Sequence, residues 1–221
     1  MTDTSSREFI VVVWGDSIAA GTPDLQWPAL AERTCLLVTN TGRRVRVVNQ
    51  GAGGMAAAQA QREFDRRIMQ NHPDLVLIQF GFNDIRYDGS RVDKPISTVQ
   101  EFESHVSEMI ALCRNEAKAA VVVLGNHRTR MNLILPSGLQ YDKARIEYNR
   151  ASRRAARKAG VPFHDMSEEL MVPETRWSEY VCEDGVHLSP LGYHAYGRRV
   201  ANIIMDHIAP RRPVPDGRKD S

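Results

Sequence analysis

The sequence predicts a parallel α/β fold, a single sheet of five strands with helices packed on both faces. Three observations predict it. Short apolar runs alternate with longer stretches of helical periodicity, the pattern of strand–helix–strand units. The runs are rich in Val and Ile and nearly continuous, as strands covered on both faces must be. The length of 221 residues, 42% hydrophobic and 25% charged, suits one globular domain with a sizeable core.

Each element follows in order. Residues 9–13, "FIVVV", read as the first strand, which leaves through "WGDSIAAG". A glycine there permits a tight exit, having no Cβ to clash. A helix is expected over 29–38 and a second strand over 45–49, ending in the glycine-rich "NQGAGG". A helix over 56–70 stops before Pro73, and the third strand, 75–80, ends in "GFND". A helix over 97–117 precedes the fourth strand, 120–124. A helix over 141–159, stopped by Gly160, precedes the fifth, 161–164, and a last helix covers 190–207. Residues 1–8 are expected to be a flexible N-terminus, 9–209 one domain, and the Pro-rich 210–221 a disordered tail. Two long connections, 85–95 and 126–140, follow strand exits and either wall a pocket or decorate the surface. The second carries Met131, Leu133, Ile134 and Leu135.

Bulk properties exclude several classes. A formal net charge of +2 gives no case for nucleic acid. No run approaches the ~20 apolar residues of a membrane span, and the polar N-terminus is not that of a signal peptide. Cys35, Cys113 and Cys182 are odd in number and widely spaced, which fits free thiols in a reducing, cytoplasmic compartment. No H-E-x-x-H or cysteine pair suggests a metal, and no cofactor is expected.

In parallel sheets ligands bind beyond the carboxyl ends of the strands, so the strand exits supply the candidate site. Ser17 stands at the first exit and is either a helix cap or a nucleophile. A serine needs a base, and "CEDGVHLS" offers His187 with Asp184 three residues before it. That spacing lets the carboxylate reach Nδ1 and leaves Nε2 free to take a proton; the competing reading is a turn aspartate beside a surface histidine. Asn83 presents an amide donor and Gly54 an unobstructed N–H, both suited to a developing oxyanion. Trp14, Ile18, Met55, Phe82, His127 and Val186 are candidates to line the pocket, or else core residues. Asp16 and Asp165 read as structural acceptors.

The ordered set Gly15-Asp16-Ser17, Asn49 to Gly54, Gly81-x-Asn83-Asp84 and Asp184-x-x-His187 resembles the SGNH, or GDSL-like, hydrolase family of esterases and lipases. Ile18 stands where that family often has Leu, and Gly51 or Gly53 could take the place of Gly54. The resemblance implies a flavodoxin-like three-layer α/β/α sandwich. It implies Ser17 as nucleophile, His187 as base and Asp184 as its partner. The oxyanion hole would be the N–H groups of Ser17 and Gly54 with the Asn83 amide. The expected substrate is a carboxylic ester with a short acyl group, such as an acylated sugar or other small metabolite, cleaved through an acyl-enzyme. Two alternatives are an acyltransferase with the same triad and a flavodoxin-like module holding a phosphate or cofactor on the first loop.

Overall fold

A computed structural model describes residues 8–38, 44–89 and 93–208. The expectations for residues 1–7 and for the C-terminal tail lie outside the described residues. The sheet has five strands in the order β2-β1-β3-β4-β5, all parallel. They are β1 (Phe9–Gly15), β2 (Val45–Asn49), β3 (Leu75–Gln79), β4 (Ala120–Gly125) and β5 (Phe163–Asp165). This is the flavodoxin-like order, and it reverses between β1 and β3.

The continuous apolar runs have the expected cause. Val11, Val12, Val13 and Trp14 on central β1 are all fully buried, as are Leu75, Val76 and Leu77 on β3. Residues alternate between faces along a strand, so both faces must be covered. Helices α2 (Trp27–Val38) and α8 (Pro190–Ile208) pack together in one layer. In the other, α5 (Val99–Asn115) packs against α3 (Ala57–Arg62) and α6 (Tyr141–Ala159). Short α1 (Ser17–Ala20), α4 (Phe64–Arg67) and α7 (Met166–Glu169) complete the set.

Several boundaries differ from expectation, four of them for a clear local reason. β1 runs on to Gly15, which stays in register with Gln79. The helix expected over 56–70 breaks at Glu63, whose N–H turns back to the Ala60 carbonyl at 2.9 Å; Phe64 and Ile68 beyond the break are buried. α5 begins at Val99 because Thr98 and Glu101 form a reciprocal cap, with bonds of 3.2 and 2.8 Å. β5 begins at Phe163 because the Val161 N–H closes the preceding helix on Ala156 and Pro162 has no N–H for the ladder.

No described helix is long and apolar enough to cross a membrane. None of Cys35, Cys113 and Cys182 is in a disulfide among the described residues.

Candidate active site

The exits of β1 and β3 and the loop before α8 line one cleft; the exit of β2, with Gly54, is bonded to the exit of β1 but is not among the lining residues. At the end of β1, a Cβ on Gly15 would sit 2.8 Å from Ala19 Cβ and 3.2 Å from the Gln79 carbonyl. Only glycine fits so close an approach of turn and strand. Asp16 then caps α1, its Oδ1 accepting the Ile18 N–H at 2.9 Å. Ser17 is the first residue inside the helix. Asp16 does the capping, so the serine hydroxyl is free for other work.

The second exit is tied to the first. Asn49 donates to the Ala19 carbonyl at 2.8 Å and accepts the Gly51 N–H at 2.9 Å. The Ala52 N–H donates to the Gly15 carbonyl at 3.0 Å, and a turn through Gly53 and Gly54 closes from Met55 N–H to Ala52 at 3.3 Å. Gly54 has φ +73°, a conformation that favours glycine. From the third exit, Asn83 donates one amide hydrogen to the Met55 carbonyl at 3.1 Å, leaving its second N–H for a ligand. Asp84 points inward and accepts from Ser97 Oγ at 2.8 Å and Ala57 N–H at 3.1 Å.

In the loop before α8, Asp184 Oδ1 accepts the N–H groups of Val186 and His187, each at 2.9 Å. Its Oδ2 lies 2.6 Å from His187 Nδ1, and His187 Nε2 lies 2.9 Å from Ser17 Oγ. These three side chains form a continuous hydrogen-bonded relay between groups 170 residues apart in sequence. Burial resists ionisation of Asp184, but the two N–H groups and the imidazole outweigh it and hold the carboxyl below its ordinary range.

Ser17, Phe82, Asn83, Asp184, Val186 and His187 line a single cleft of about 290 Å³. Met131 and Leu133 wall it too, so the second long connection borders the cleft while Leu135 packs inward. Arg86 and Tyr141 also line it, and neither stood out in the sequence. Tyr141 opens α6 and its hydroxyl donates to the Phe82 carbonyl at 2.7 Å, fixing that wall.

Four expected pocket residues lie elsewhere. Trp14 and Ile18 are core residues, buried because β1 is central and α1 folds back onto the sheet, and Met55, just before α3, is buried in the same core. Trp14 packs on Phe64 and Phe80. His127 is also fully buried, behind Phe82, with Nε2 2.8 Å from the Val186 carbonyl. Desolvation lowers it to about 4, so it stays neutral and supports the histidine-bearing loop from below. Asp165 accepts from Ser167 and Asn149, while His164 turns instead to Glu169.

Beneath Ser17 lies an uncompensated carboxyl. Burial pushes Asp16 from 3.8 up to about 7, against the Ile18 N–H and with help from nearby Asp84; its Oδ2 has no protein partner. Between pH 4 and 7 the folded chain therefore keeps a proton that the unfolded chain has lost, and stability falls as pH rises. Asp16→Asn keeps a capping oxygen without the charge. Its stability relative to the parent should rise from pH 4 to pH 7, by about 4 kcal/mol at most, in urea unfolding at the two pH values. A difference that does not change with pH would overturn this.

The fold is a three-layer parallel α/β sandwich with this cleft among the loops that follow its strands. The chain belongs to the GDSL-like lipase/acylhydrolase family, whose model matches residues 13–195. Solved structures share the fold at low identity. A lipase/acylhydrolase from Enterococcus faecalis has a TM-score of 0.73 at 22% identity, covering 92% of this chain and 98% of that one. A GDSL-like lipase from Bacteroides thetaiotaomicron has 0.67 at 18%, covering 90% and 89%. A catalytic mutant of an acetylxylan esterase from Geobacillus stearothermophilus has 0.70 at 18%, covering 94% and 98%. No curated protein matches the chain. No group of three or more His, Cys, Asp or Glu among the described residues is arranged to hold a metal ion.

Proposed function

We propose that the protein hydrolyses a carboxylic ester with a short acyl group, using Ser17, His187 and Asp184 as a catalytic triad. One observation carries this reading: His187 bridges Asp184 and Ser17 through its two nitrogens at 2.6 and 2.9 Å. Ser17 Oγ attacks the ester carbonyl as His187 Nε2 takes its proton. The tetrahedral oxyanion is held by the N–H groups of Ser17 and Gly54 and the free amide N–H of Asn83. Collapse expels the alcohol, protonated by His187, and leaves an acyl-serine. Water, deprotonated by His187, then releases the acid and restores the serine.

The size of the cleft supports the short acyl group. About 290 Å³, at the small end of ligand sites, leaves little length for a fatty chain. The acetylxylan esterase among the structural neighbours acts on an acetyl ester, in line with this size. The Ser17 hydroxyl is within hydrogen-bonding distance of an imidazole, which weighs against a phosphate-holding first loop.

Nitrophenyl esters graded by acyl length test the reading. The value of kcat/KM should be highest for acetate to butyrate and fall by roughly tenfold or more by octanoate, as the added methylenes find no room. A fluorophosphonate probe should label Ser17. A rate that climbs steadily to octanoate would overturn the short-acyl assignment, and labelling elsewhere the nucleophile.

A further inference from the structure

Arg86 brings a positive charge to the cleft that the chemistry of a simple acetyl ester does not require. It stands three residues past Asn83, in "GFNDIR". Its backbone is pinned on both sides: the N–H donates to the Asn83 carbonyl at 3.1 Å, and the carbonyl accepts the Ile96 N–H at 2.7 Å. This fixes the root of the side chain beside Asn83, and Arg86 lines the cleft of Ser17 and His187.

The charge there is unspent. Nη1 of Arg86 lies 3.5 Å from Asn83 Oδ1, at the limit of a hydrogen bond and to a neutral amide. Some arginines elsewhere meet carboxylates, as in Arg67 with Glu63, Arg154 with Glu103 and Arg199 with Glu169, and others donate to backbone carbonyls, as Arg114 and Arg128 do. Arg86 forms no ion pair among the described residues. The two acids nearest in the site are already engaged. Asp84 is fully buried and bonded to Ser97 and Ala57. Asp184 has both oxygens taken by His187 and two backbone N–H groups.

A planar guanidinium with free donors suits a carboxylate, which it grips by two parallel bonds. Arg86 is exposed and shares the cleft with Phe82, Leu133 and Met131, so the contact stays open to solvent and to added salt. We propose that Arg86 selects esters bearing a carboxylate group, so that the protein's substrates are anionic esters. The substrate class rests on the ester-hydrolase reading above; the anion site itself does not.

Two matched pairs of esters test this. One pair is para-nitrophenyl hydrogen succinate and its methyl ester, with the carboxylate on the acyl side. The other is para-acetoxybenzoate and its methyl ester, with the carboxylate on the alcohol side. In at least one pair the charged ester should have the higher kcat/KM by about tenfold, carried by KM, as expected for one charge-assisted contact. Arg86→Gln should bring that ratio close to one, Arg86→Lys should retain part of it, and added salt should lower it in the parent. The responding pair identifies the side that carries the charge. Equal ratios in the parent and Arg86→Gln, in both pairs, would overturn the proposal.

Binding separates this proposal from the catalytic one. In a Ser17→Ala background, adding Arg86→Gln should weaken calorimetric binding of the preferred charged ester by about tenfold. Unchanged binding overturns the anion site even if esters are hydrolysed. Weakened binding with no hydrolysis of any ester by the parent keeps the anion site and overturns the ester-hydrolase reading.

Discussion

Ser17→Ala should abolish ester hydrolysis, with kcat for a para-nitrophenyl ester falling by about 10⁵–10⁶-fold. On the proposed mechanism the substitution removes the atom that forms the acyl bond and little else. The cap of α1 belongs to Asp16, so helix and turn survive, and the hydroxyl's side-chain partner is His187. Unfolding free energy should therefore change by less than ~0.5 kcal/mol. The three residues act as a unit, so His187→Ala should cost about as much, and the double variant little more than either alone. Steady-state rates of the two single variants and the double, with covalent labelling followed by mass, check this. Activity retained in Ser17→Ala would remove the acyl-serine from the mechanism. Losses that multiply in the double variant would show that serine and histidine do not work together.

The parts of the fold and site that were legible in the sequence have a common physical character. Strand cores were legible because burial on both faces makes Val11–Val13 and Leu75–Leu77 continuously apolar. The strand exits were legible because their turns demand residue types that stand out, Gly15 where a Cβ would collide and Gly54 where φ is positive. Less legible were contacts made by ordinary residues at ordinary positions. Trp14, Ile18 and Met55 sit beside site residues in sequence, yet β1, α1 and the turn before α3 place them in the core. His127 follows β4 at the site end of the sheet but faces the loop from inside. Arg86 and Tyr141 reach the cleft through a loop and a helix start that carry no motif. Periodicity assigns a face; it does not say how far a long side chain reaches from the next turn. The same holds for Asp16. Its place in "GDS" suggested a structural turn residue, and it is the helix cap, but its burial without a second partner is a property of the packed molecule.

Asp184→Asn is expected to lower kcat by about 10⁴-fold near neutral pH while leaving the fold intact. The asymmetry of the aspartate's bonds explains why. Oδ1 accepts the N–H groups of Val186 and His187, and an amide oxygen can do the same, so the loop keeps its shape. Oδ2 faces His187 Nδ1 at 2.6 Å. An amide NH₂ there can only donate, and it can bond to Nδ1 only if that nitrogen is unprotonated. The neutral imidazole must then carry its hydrogen on Nε2, the atom 2.9 Å from Ser17 Oγ. The base would point a proton at the nucleophile instead of a lone pair. KM should change little, because no substrate contact is lost, and fluorophosphonate labelling should slow by a similar factor, because it needs the same proton transfer. Asp184→Ala is a useful contrast: it leaves both loop N–H groups without their acceptor, so it should lower stability as well as rate. A kcat for Asp184→Asn within tenfold of the parent would mean that His187 is oriented by the loop alone, with Asp184 serving only the backbone of that loop.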